Sequence, residues 1–262
     1  MVARRLIGVG LLLALLIPLA VAQSPDAPVA SQPALGDSDR PASWKLVPSN
    51  LLSDQKRIWL YPRRLAHPRS WIAPAAILGT AVLLVAEADS PAASYFRRTS
   101  EFRGFDRVFT GKATALGMIA LPASLYVAGL ARKDSKMKST VLLAGEAVLD
   151  SELLTIAAKD IDRRLYPASI PAPQGFTDTW FKTKGDWLRG SGSFPSGHTI
   201  AAFSIGTVIA RRYGNHRWVP YAAYGAAALV GFSRLPLMSH YVSDVFMGSA
   251  LGYSIARFAV LR

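Results

Sequence analysis

Gly192-Ser193-Phe194-Pro195-Ser196-Gly197-His198-Thr199 is a Ser/Gly-rich turn that runs straight into the apolar stretch Thr199–Ala210. Such a junction makes a helix N-terminus, where backbone N–H groups lack internal acceptors and the helix dipole is positive. An anion can sit there. Ser196 can add a hydroxyl, Gly197 permits close backbone approach, and His198 is placed to give a proton to a bound oxygen. The same residues also fit an ordinary N-cap beside an incidental histidine. Working outward, five more apolar stretches surround this one: Trp71–Ala86, Ala113–Ala131, Thr140–Ala158, Trp218–Phe232 and Tyr241–Val260. None shows β-like alternation, and Pro, Gly and charged clusters fill the gaps. The pattern predicts an all-α fold, a helical bundle of about six helices.

Composition bears on where that bundle lives. The chain of 262 residues is 51% hydrophobic and 18% charged, with a mean hydropathy of +0.24, which is more apolar than most soluble domains. Ala113–Ala131 and Tyr241–Val260 approach the roughly 20 residues needed to cross a bilayer. Thr140–Ala158 carries Glu146, Asp150 and Glu152, which suits a core helix instead. The bundle is expected to be membrane-embedded, with a soluble bundle as the alternative. There is no cysteine. Disulfides, thiolate catalysis, cysteine-ligated zinc and iron–sulfur clusters are therefore excluded. Thirty basic residues against 17 acidic ones give +13, a balance suited to anionic lipid, phosphate-bearing substrates or nucleic acid.

Residues 1–22 combine Arg4-Arg5, an apolar run and an Ala20-Val21-Ala22 site, the pattern of a signal peptide, or failing cleavage, of an anchor. Export argues against a nucleic-acid partner. Residues 23–70 begin rich in Pro, Ser and Asp and turn basic at Arg63-Arg64, as expected for a linker and basic surface segment. Residues 71–262 are expected to form one domain.

The third chemical block is Ser233-Arg234-Leu235-Pro236-Leu237-Met238-Ser239-His240-Tyr241-Val242-Ser243-Asp244. Arg234 offers a planar fork that grips phosphate and keeps its charge. His240 and Asp244 are four apart, so on a helix the carboxylate can accept the imidazole N–H and fix its tautomer, leaving the other nitrogen to attack. A structural His–Asp pair is the bland alternative. A first block, Lys159-Asp160-Ile161-Asp162-Arg163-Arg164-Leu165-Tyr166-Pro167, follows the third apolar stretch.

These three blocks in this order resemble the type 2 phosphatidic acid phosphatase (PAP2) superfamily, which also contains bacterial acid phosphatases and vanadium haloperoxidases. Pro195-Ser196-Gly197-His198 matches its second motif. Ser233, Arg234, His240 and Asp244 match its third. The first motif departs: Lys159 and Pro167 keep the spacing, but Tyr166 stands where the superfamily has arginine. The resemblance implies that His240 is the nucleophile, Asp244 orients it and His198 is the general acid and base. It also implies that Lys159, Ser196, the Gly197 N–H and Arg234 bind phosphate, with no metal and no cofactor. Arg163, four residues after Lys159, is the expected replacement for the missing arginine if the helix continues through Asp162, with Arg164 the lesser candidate.

The expected function is thus a metal-independent phosphatase acting on lipid phosphates or pyrophosphates through a phosphohistidine, at the periplasmic face of a bacterial inner membrane. A soluble periplasmic acid phosphatase, a vanadate-dependent haloperoxidase and a non-catalytic phospholipid-binding membrane protein are the rival readings. Positive-inside arithmetic puts the motifs outside if all six stretches span, but a cleaved signal peptide would reverse this. Trp71–Ala86, interrupted by Pro74, is the candidate for a re-entrant or interfacial segment. Oligomeric state is not legible.

Overall fold

The computed structural model describes residues 40–61 and 71–262; the expected signal segment 1–22 lies outside the described residues. The described residues form nine α-helices and no strand: α1 Val47–Trp59, α2 Ile72–Glu87, α3 Asp89–Arg98, α4 Arg103–Val108, α5 Gly111–Ala131, α6 Ser135–Asp162, α7 Gly197–Arg212, α8 Val219–Ser233 and α9 Val242–Ser254. A π-helical turn, Ile255–Val260, continues α9. All six apolar stretches are helical. Helix α1 adds to them from within the stretch expected to be linker, while α3 and α4 fill the gap between the first two.

Side chains at the junctions explain several boundaries. Thr110 caps α5 by accepting from the Ala113 N–H, and Asp134 caps α6 by accepting from the Met137 N–H. Helix α6 ends where Arg163 turns left-handed at φ 45°. Helix α2 breaks at Ala88, and α3 leaves at an angle of 50°.

Helices α6, α7 and α9 form the interior. Leu143, Ala144 and Ala147 of α6 pack on Val208 of α7 and on Ala256 and Val260 after α9. Burying a residue such as Leu143 or Val208 contributes roughly 1.5–3 kcal/mol. Helix α9 can approach α7 closely because its facing residues are glycines. A Cβ at Gly252 would lie 2.3 Å from the Ile200 carbonyl oxygen, and one at Gly248 would lie 2.9 Å from that of Ser196. No side chain fits there.

This interior corrects the expectation for Tyr241–Val260. Its length approaches a membrane span, yet α9 has 13 residues, of which nine are buried and none is exposed. Exposed apolar side chains recur along α2, α5 and α8, where Leu78, Val82, Leu116, Ile119, Val127, Tyr221 and Leu229 face outward. Among the described residues, α5 is the one single helix long and apolar enough to cross a membrane, and the bent pair α2–α3 passes the same test together.

Helix α1 and the preceding Arg40 supply partners to Glu146 and Asp150 of α6. Asn50 donates to Glu146 at 2.9 Å, Gln55 donates to Asp150 at 2.8 Å, and Arg40 bridges Asp54 and Glu146. These carboxyls are fully buried, and burial without partners would cost several kcal/mol each.

Candidate active site

The three sequence blocks meet where α6, α8 and the turns before α7 and α9 end. Ser196 occupies the N-cap of α7. Its Oγ accepts from the Thr199 N–H at 3.4 Å and lies 2.8 Å from the Thr199 hydroxyl. It is fully buried. The hydroxyl expected to face an anion thus serves first to cap its own helix. The N–H groups of Gly197 and His198, at the helix start, have no acceptor within the helix.

His198 and Arg234 converge on Gly111, the first residue of α5. The Nε2 of His198 lies 3.1 Å from the Gly111 carbonyl oxygen. Arg234 is 1% exposed, and its Nη2 donates to the Phe109 carbonyl, the Thr114 hydroxyl at 2.9 Å and the Ser233 hydroxyl at 2.7 Å. Its Nη1 makes none of these bonds and would lie 3.9 Å from a Cβ at Gly111. Burial and then Arg234 hold the His198 imidazole below the usual 6.5, with His240 and Lys159 pushing the same way and the Gly111 carbonyl opposing.

His240 follows from the same turn: its N–H donates to the Arg234 carbonyl at 3.2 Å. The buried imidazole sets Nδ1 3.4 Å from Asp244 Oδ2, an ion-pair separation longer than a formed hydrogen bond. Asp244 is fully buried at the start of α9, and its Oδ2 also accepts from the Tyr241 N–H at 2.9 Å. Burial holds the His240 pKa below 6.5; Asp244 opposes that shift and Lys159 reinforces it. The ring is therefore neutral near pH 7.

Lys159 lies in the last turn of α6, and its Nζ donates to the Tyr166 hydroxyl at 3.3 Å. The Tyr166 ring meets the His240 ring edge to face at 5.8 Å. The residue at the departed motif position thus sits between the lysine and the second histidine.

Arg163 does not join them. The helix on which its spacing relied stops at Asp162, and Arg163 turns left-handed. Its Nε donates to the Asp160 carbonyl and its guanidinium lies over Trp187. Arg164 is buried behind the cluster, paired with Asp244 and Asp89. The cause is geometric: one left-handed residue rotates everything after it away from helical register.

Four groups escaped the sequence reading. Asp89 stands alone at the end of an apolar run and carries no pattern. Thr114 and the Phe109 carbonyl reach Arg234 only through the fold. Asp162 is raised to about 7, chiefly by burial, with Asp244 adding to the shift; its Oδ1 accepts from the Arg164 N–H at 3.0 Å and its buried Oδ2 lacks a partner.

A helical bundle that gathers two histidines, a carboxylate, two cations and a free helix N-terminus defines a phosphate-handling class of site. Residues 140–262 of this chain match the PAP2 superfamily. Over 61 residues the chain is 41% identical to the lipid A 1-phosphatase of Porphyromonas gingivalis, a match that covers 23% of this chain and 14% of that protein. No solved structure matches the chain.

Proposed function

We propose that this chain is a phosphatase that hydrolyses a phosphate or pyrophosphate carried by a lipid, through a phosphohistidine and without a metal. The PAP2 match supports phosphatase activity, and the lipid A 1-phosphatase relative supports a lipid substrate. One observation carries the mechanism: His240 keeps Nδ1 toward Asp244 while His198 enters from a different helix beside Arg234. That divides nucleophile from acid.

In this reading Nε2 of neutral His240 bonds to phosphorus as the bond from phosphorus to the leaving oxygen breaks. In its charged form His198, with Nε2–H held by the Gly111 carbonyl, delivers the Nδ1 proton to that oxygen and is left neutral; its lowered pKa makes that proton easy to give up. Asp244 balances the charge left on the His240 ring. Water then attacks phosphorus, His198 takes a proton from it, and the P–N bond breaks to release phosphate. Lys159, Arg234 and the N–H groups of Gly197 and His198 stabilise the equatorial oxygens, the effect that carries most of the rate in phosphoryl transfer. Ser196 holds the helix start in place.

The outward apolar faces of α2, α5 and α8 suit a bilayer, and α5 is long enough to span it. In this reading the enzyme sits in a bacterial inner membrane with the site toward the periplasm. The test is phosphate release by purified protein in detergent, with chelator present, from a panel of lipid phosphates, lipid pyrophosphates and water-soluble esters. Preference for a lipid ester with full activity in chelator is expected. Activity lost with chelator and restored by magnesium would overturn the chemistry.

A further inference from the structure

Behind His240 lies a buried knot of side chains that ties Arg164 of the first block and Ser243 and Asp244 of the third to Asp89, which lies outside all three. Arg164, 1% exposed, donates from Nη1 to Asp244 Oδ1 at 2.6 Å and to the Ser243 hydroxyl at 2.8 Å. From Nη2 it donates to Asp89 Oδ2 at 2.6 Å, and from Nε to the Thr179 hydroxyl at 3.2 Å. Its guanidinium lies 3.9 Å from the Tyr241 ring centroid and 4.4 Å from that of Trp180. Asp89 also accepts from the Ser243 N–H at 2.9 Å and from the Ser243 hydroxyl. Three distant parts of the chain are joined here: the knee between α2 and α3, the loop after α6, and the start of α9.

We propose that Asp89 and Arg164 are positioning residues for the phosphotransfer site, holding the Asp244 carboxylate and through it the His240 imidazole without touching the phosphate. This rests on the phosphohistidine reading above. Asp89 lies outside the PAP2 match at 140–262, so the matched region draws one of its supports from the preceding helix pair. Asp244 has two oxygens to spend: Arg164 takes Oδ1, which turns Oδ2 toward the Tyr241 N–H and His240. Asp89 in turn keeps Arg164 from swinging onto Asp244 alone. A guanidinium shared by two carboxylates leaves one net negative charge, which the charged His240 ring neutralises when phosphorus bonds to it.

The charges around the pair give this arrangement a signature. Facing Asp244 are Arg164, His240, Tyr241, Asp89 and Asp162; facing His240 are Asp244, Lys159, Tyr166 and His198. In Asp89→Asn the knot becomes neutral, so Asp244 attracts a proton on His240 less and the acid limb of kcat/KM moves to lower pH. In Arg164→Gln two carboxylates face each other, and the knot takes up a proton at higher pH. A proton on His240 or on Asp244 disables attack, and one on Asp89 still leaves Asp244 without the cation that offset it, so its pull on a His240 proton grows and the acid limb moves to higher pH.

The experiment measures kcat/KM against pH for a water-soluble phosphate ester with wild type, Asp89→Asn, Arg164→Gln, Arg164→Lys and His240→Ala. Asp89→Asn and Arg164→Gln are expected to lose about 10- to 100-fold, mainly in kcat, with limbs displaced in opposite directions by about half to one pH unit. Arg164→Lys should recover part of the rate and most of the limb. Limbs that stay at the wild-type position, or that move together, would overturn the positioning role. If Arg164→Gln fails to fold, the direction of the limb in Asp89→Asn decides alone. Activity persisting in His240→Ala would instead overturn the phosphohistidine reading itself.

Discussion

The backbone N–H of Ser196 donates to the carbonyl of Asp244 at 3.1 Å, which ties the first residue of the α7 turn to the first turn of α9. The second and third motif blocks are thereby held by main chain, and His198 and Asp244 inherit a fixed separation from it. That bond requires α7 and α9 to lie closer than side chains allow, and Gly248 and Gly252 provide the room.

Gly252→Ala tests this packing. The new Cβ would meet a backbone oxygen at 2.3 Å, which can be relieved only by moving a helix. Overpacking of this kind costs about 1–3 kcal/mol, so the melting temperature in detergent should fall by about 5 °C and activity should fall with it. Gly225→Ala, where a Cβ meets nothing within 4 Å, is the control and should melt near wild type.

His240→Ala should abolish turnover and phosphoenzyme, because the proposed route needs the ring nitrogen. His198→Ala should slow turnover by about 10²–10⁴-fold for esters with poor leaving groups and far less for activated ones. Rapid-quench labelling with acid-labile phosphate checks both: label should be absent in the first variant and should accumulate in the second.

At Tyr166 the cradle has a hydroxyl where the first PAP2 motif has a guanidinium. Tyr166→Arg adds a cation beside Lys159 and should tighten competitive inhibition by vanadate several-fold, since the site favours a transition-state-like anion. Arg163→Ala should leave kcat/KM for a soluble ester within about threefold, because its guanidinium lies over Trp187. Inhibition constants and initial rates decide both.

Asp162 yields a stability prediction with a definite sign. Burial raises its carboxyl from 3.8 to about 7, so the folded chain holds this proton more tightly than the unfolded one between those values. Its contribution to stability is present at low pH and is lost as pH rises toward 7. Asp162→Asn keeps the bond to the Arg164 N–H but never ionises. It should melt higher than wild type at pH 8, by the equivalent of about 1 kcal/mol once solvent screening of a partly exposed group is counted, and the gain should vanish near pH 4. Thermal melts at the two pH values check it.

Much of this was legible in the residues. Six apolar stretches without alternation determine six helices, because helix formation is local and periodicity reports it directly. The Ser-Gly turn before Thr199 determines a capped helix start, and the spacing of His240 and Asp244 keeps them near each other although His240 precedes α9. The limits of sequence reading show at Arg163 and Tyr241–Val260. One left-handed residue cancelled a register inferred from four-residue spacing, and an apolar run of near-membrane length turned out to be core, because apolarity is the same whether lipid or protein covers it.

By itself, then, the sequence determined six of the nine described helices, the cap before Thr199 and the identity of the chemical groups, all consequences of neighbours within a few positions. The tertiary structure alone decided which helix is buried and which is bare, that Asn50 and Gln55 supply partners to Glu146 and Asp150 of α6, and that Asp89 and Arg164 stand behind His240. Those facts depend on contacts between residues some 75 to 96 positions apart, where no local pattern exists and only the requirement that every buried charge find a partner selects the pairing.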